Sequence, residues 1–276
     1  SPNGLGGSIA LSSGEGSTSG SVSLRSAPGD ASGDVSVESG DAHEASGSVL
    51  VSSGTGLHSG AVAINVGAAA TEQTSSLHLR VGSSGADTGR AGGVRISSGS
   101  STGSDATGGN VDLVAGSAVS GVGGAVSLRS GSSTEGGSGA VSVASSSSGN
   151  SGDSGSVLIA TGPSSDNSGV LSVTTGDATN KAGNMKLTLG TSATSEGGSL
   201  SARAGASSTS GGSIVMQSGE SDVEAGHIIL QGAMGKRGGD LKLGAGIGSN
   251  TGGSVSLASG SSAGHGGSVA ILSGEG

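Results

Sequence analysis

The chain has 276 residues, 61 of them Gly, with no Phe, Tyr, Trp or Cys and 31% hydrophobic residues, so a conventional globular core lacks its large side chains. Eleven Lys and Arg against 20 Asp and Glu give a net charge of −9, which repels phosphate backbones and anionic membrane surfaces and, without aromatics for stacking, argues against nucleic-acid binding. The lack of Cys removes disulfides and thiolate metal sites, and no apolar run approaches the roughly 18 residues of a membrane span, so no membrane insertion is expected.

Gly and Ser at this density suit a flexible linker unless a pattern organises them. A pattern exists, and it repeats nineteen times. The first unit, Gly7-Ser8-Ile9-Ala10-Leu11-Ser12-Ser13-Gly14, sets the form: Gly, a small residue, an aliphatic, any residue, a second aliphatic, any residue, Ser or Ala, Gly. Numbering from the first aliphatic as 0, the leading Gly is −2, the second aliphatic +2 and the closing Gly +5.

Units at Val22, Val35, Val49 and Val62 follow at spacings of 13 or 14 residues. The sixth opens at Leu77 and carries Ser75 at −2, where the other eighteen units have Gly. Val94, Val111, Val126, Val141 and Val157 continue at 15 to 17 residues; Leu171, Met185, Leu200, Ile214, Ile228, Leu241, Val255 and Val269 complete the array at 13 to 15. Position +2 is Leu, Ile, Val or Met except at Ala202, and +5 is Gly except at Ala27, Ser146 and Ala233.

Each unit alternates apolar with small or polar residues, the period of an extended strand with one buried face. The flanking Gly supplies the positive φ or the close backbone approach that a sharp corner needs. Pro2, Pro28 and Pro163 all fall outside the strands, where a missing N–H does no harm. Length variation sits in connectors such as Glu15-Gly16-Ser17-Thr18-Ser19, as in repeat arrays generally.

The expected fold is therefore all-β: a parallel β-solenoid, or β-helix, of nineteen short strands. Two strand motifs per coil would set the apolar columns of two sheets face to face in a flattened rod; three per triangular coil is the alternative. Residues 1–276 form one continuous array on this reading. The array starts almost at once, at Gly7, and ends beside Gly274-Glu275-Gly276 without a cap, which implies a segment of a longer array or of a filament. Residues 1–30 carry no basic region followed by an apolar stretch of the signal-peptide kind.

Chemical motifs are weak. His43, His58, His78, His227 and His265 have no fixed relation to one another. Gly99-Ser100-Ser101-Thr102-Gly103 and Gly260-Ser261-Ser262-Ala263-Gly264 match the nucleophile-elbow string, but that elbow needs a strand-to-helix turn and no helical period is present. Gly235-Lys236 has Leu230 where a phosphate-binding loop needs its first Gly. Asp30, Asp41, Asp87, Asp105, Asp153 and Asp222 lie irregularly in connectors, unlike the fixed Asp of calcium-binding β-rolls. No catalytic, cofactor-binding or metal-binding residue is expected, and the chain does not read as an enzyme.

The unit Gly-Gly-Ser-Val-Ser-Leu-Ala-Ser-Gly, at residues 252–260, resembles the long Ser/Gly-rich repeats of extracellular proteins from unicellular algae and related protists. The resemblance runs along essentially the whole chain. It implies a surface or filament role and supplies no catalytic residues.

The functional expectation is a structural repeat protein of an extracellular filament, cell-surface appendage or matrix, self-associating into a homo-oligomer or filament. An ice-binding or adhesive solenoid is the alternative, although the +1 column, with His78, Arg95, Asp112, Lys186 and Lys242, is too mixed for a rank of hydroxyls. Connector Ser and Thr are candidate O-glycan acceptors, and there is no Asn-x-Ser/Thr sequon. At +1, Leu50, Leu158, Val215 and Ile229 turn their segments into continuous apolar runs and are candidate lateral contacts between chains. If so, Ile229→Lys dissociates the assembly in a sizing experiment, and assemblies of unchanged size would remove the assignment.

Overall fold

The computed structural model of the chain describes residues 6–69, 75–85, 90–149 and 152–274. Pro2, Asp87, Glu275 and Gly276 lie outside them. Among the described residues the backbone forms no α-helix and no β-strand. The parallel β-solenoid expected from the repeat, with its two sheets and flattened rod, is thus not formed, and the chain is coil-rich.

The accessible surface makes the same point by magnitude. A compact chain of 25.1 kDa exposes about 10,000 Å² and a fully extended one about 36,000 Å²; this chain exposes 27818 Å². No described residue is buried, hydrophobic or polar. A strand needs a second strand to receive its N–H and C=O groups, and a core needs volume. Two aliphatic side chains per unit of 13 to 17 residues, none aromatic, gain too little burial to offset the ordering of Gly-rich backbone.

Alternation survives without the sheet. In the unit at Val49 the aliphatics at 0 and +2 are 53% and 73% exposed, and Leu50 between them is 85% exposed. Period 2 belongs to the extended backbone itself.

Local order lies in the connectors. The chain divides into two units, Ser1–Ser142 and Val143–Gly276. In the first, the N–H groups of Gly20, Gly109, Gly124 and Gly139 donate to the carbonyls of Gly14, Gly99, Gly116 and Gly131 at 2.8 to 3.2 Å. In the second, Gly212, Gly226, Gly239, Gly253 and Gly267 donate to Gly205, Gly219, Ala233, Gly246 and Gly260 at 2.9 to 3.0 Å. Every one of these bonds joins the −2 Gly of a unit to the +5 residue of the unit before. Connectors from Gly14–Gly20 to the longer Gly99–Gly109 close in the same way, as small Ω-type loops with tied ends.

At the closed junctions, close approach explains why Gly is kept more strictly at −2 than at +5. A Cβ on Gly253 would lie 3.2 Å from the Gly246 nitrogen and 3.4 Å from the Ala245 Cβ; one on Gly124 would lie 3.2 Å from the Gly116 nitrogen and 3.4 Å from the Ala115 Cβ. At the +5 positions Gly116, Gly131, Gly205 and Gly246 a Cβ would meet nothing within 4 Å. Substitution accordingly appears at +5 three times, as Ala27, Ser146 and Ala233, and at −2 once. Of the two properties expected of these glycines, close approach is the one used: among the described residues no Gly has a positive φ.

Position +4 is the sheltered one, at five closed junctions and two others. Ser13, Ser26, Ser39, Ala115, Ser130, Ala204 and Ser218 are half-buried, and all other described residues are exposed. All seven stand at +4, and six of them, all but Ser26, lie beside the next unit's Gly. At one junction the tie is double: the Ser98 hydroxyl donates to the Gly109 carbonyl at 2.8 Å while the Gly109 N–H donates to Gly99 at 2.9 Å.

Two outcomes are expected. Calorimetry of the dilute 276-residue chain shows no cooperative unfolding transition, since the described residues contain no core to melt; a sharp endotherm would contradict this fold. Hydrogen exchange at residue 124 accelerates several-fold in Gly124→Val and stays near wild type in Gly131→Val, because only the first substitution crowds a closure. Equal effects of the two would remove the closure's role.

Candidate functional site

Among the described residues there is no cavity and no group of three or more His, Asp or Glu side chains placed to hold a metal ion. His43, His58, His78, His227 and His265 are each exposed. Asp30, Asp41, Asp105, Asp153 and Asp222 are exposed connector residues. The described residues contain no helix long and apolar enough to cross a membrane.

The hydroxyls have a local task. Ser133 accepts the Gly136 N–H at 2.8 Å and Ser192 accepts that of Ser195 at 3.0 Å. Ser221 accepts two backbone N–H groups, from Val223 at 3.2 Å and Glu224 at 3.3 Å. Such side-chain turns let a connector bend without regular structure. Ser262, the central residue of one nucleophile-elbow string, accepts the Gly264 N–H at 3.2 Å. It is a turn residue, and no helix follows it.

The flat face that the ice-binding alternative needs is a property of a solenoid, so that reading loses its architectural basis with the fold. What the structure presents instead is the repeat's own apolar series. Leu50 lies in the first unit and Leu158, Val215 and Ile229 in the second. The last three are 87%, 81% and 79% exposed, each between two further exposed aliphatics. Val157-Leu158-Ile159, Ile214-Val215-Met216 and Ile228-Ile229-Leu230 are therefore three-residue apolar stretches open to solvent. All four candidates are available for contact.

The sequence pattern assigned the aliphatics at 0 and +2 to a core, and here they are surface. It also passed over Leu57, Val119, Val223, Met234 and Ile247, connector residues that are fully or almost fully exposed. Irregular position hid them from a search for columns. Comparison of the chain with protein-family models, with characterised proteins and with solved structures returned no match.

Proposed function

We propose that the chain is a structural repeat protein of an extracellular filament, cell-surface appendage or matrix, and that it acts by associating with further copies of itself. One observation carries this reading. Nineteen units keep two aliphatics in register along the chain, yet among the described residues none is buried. A purely flexible linker gains nothing from such register, whereas an association surface repeated along the chain uses each unit as one contact. Contiguous apolar exposure on this scale is the usual mark of an interaction surface.

Repetition converts weak contacts into a strong one. Once one unit engages a neighbouring copy, the next binds at high effective concentration, so affinity rises with the number of units. The extracellular assignment is supported by the abundant exposed connector Ser and Thr, candidate O-glycan acceptors.

Sedimentation velocity across a hundredfold concentration range, with negative-stain microscopy of the same samples, tests the proposal. Size increasing with concentration, and filaments or extended aggregates on the grid, are expected. A monomer at every concentration would overturn it.

A further inference from the structure

The charged residues are sorted along the repeat. Taking positions 0 to +4 as the segment and the rest, including −2 and −1, as connector, seven of the eleven Lys and Arg lie in segments and eighteen of the twenty Asp and Glu in connectors. The segment cations include Arg25, Arg129 and Arg203 at +3, and Arg95, Lys186 and Lys242 at +1; Glu38 and Asp112 are the two segment anions. Segments thus carry +5, seven less two, and connectors −14, four less eighteen, which together return the net charge of −9.

Turn chemistry accounts for Asp, which favours connectors for its local hydrogen bonds. It does not account for Glu, whose strand preference is close to that of Lys, and eight of the nine Glu are in connectors. Inside the chain the two charge sets are not used on one another. Among the described residues the one ion pair is Lys242 Nζ to Asp240 Oδ2 at 3.1 Å, between exposed neighbours. The other segment cations are exposed and make no ion pair.

We infer that the partner of each basic segment is the acidic connector of a second copy, so that chains associate out of register, connector against segment. The inference rests on the self-association reading and adds its polarity. In-register association would lay basic segments beside basic segments and acidic connectors beside acidic connectors. A shift of about half a unit places opposite charges together while the segments' apolar positions still meet the neighbour. Positions +1 and +3 then set the register, and 0 and +2 supply apolar contact.

Salt separates the two contributions. Screening acts over about 30 Å at 10 mM salt and about 3 Å at 1 M, so charge pairing between copies weakens across that range, while apolar association holds or strengthens. Sedimentation velocity of the full-length chain is expected to give an association constant at least tenfold lower in 1 M than in 10 mM NaCl. The triple variant Glu15→Lys, Glu135→Lys, Glu196→Lys takes the net charge from −9 to −3, because each exchange adds two charges. If overall repulsion governed association, this variant would associate more tightly; connector-to-segment pairing requires it to associate at least tenfold more weakly at 10 mM. Mixing it with Arg25→Glu, Arg129→Glu, Arg203→Glu should restore association. A wild-type constant unchanged or raised by salt, a tighter Glu→Lys triple variant, or no recovery on mixing would each overturn the inference and leave self-association standing. A chain that stays monomeric in both salts overturns the self-association reading itself, and this inference with it.

Discussion

The hydrogen bond from the Gly at −2 to the carbonyl at +5 of the preceding unit is the contact on which local order in this chain depends. It ties the ends of each closed connector, and at Ser13, Ala115, Ser130, Ala204 and Ser218 it brings the −2 backbone within van der Waals distance of a half-buried +4 side chain. Between closures the described residues form no helix or strand, and none is buried. Contacts between residues distant in sequence are few in a backbone held this way, so its order is local and each closure forms or opens with little reference to the others.

That constraint shows how far the sequence could be read. The units, their register and the placement of length variation in connectors follow directly from residue spacing. So does the need for Gly at −2, although its physical cause is close approach at positions such as Gly124 and Gly253 rather than a left-handed backbone. The sheet could not be read in the same way. Alternation of Val49, Leu50 and Val51 reports an extended backbone whose side chains point to opposite sides. It carries no information on whether a second segment accepts the first one's hydrogen bonds. The solenoid reading supplied that partner by analogy with repeat architectures, and the described residues contain none.

The candidate association surface was legible to a similar extent. Leu50, Leu158, Val215 and Ile229 stand out in the sequence because they interrupt alternation, and they are exposed. The aliphatics at 0 and +2 were harder to place, since the same pattern serves a core when a facing layer exists and a surface when it does not. The sorting of charge escaped notice for another reason: it is visible only when acidic and basic residues are tallied by position in the unit, and local motif searches treat each charge alone.

An open backbone is ordinarily a liability outside a cell, because proteases cut chains that can be drawn into an extended groove. None of the described residues is buried, yet the chain has no aromatic residue and only eleven Lys and Arg in 276 residues, so enzymes that select bulky aromatic or basic side chains find few places to cut. Persistence here comes from what the accessible bonds are made of. Resistance of this kind needs no interior to hide in.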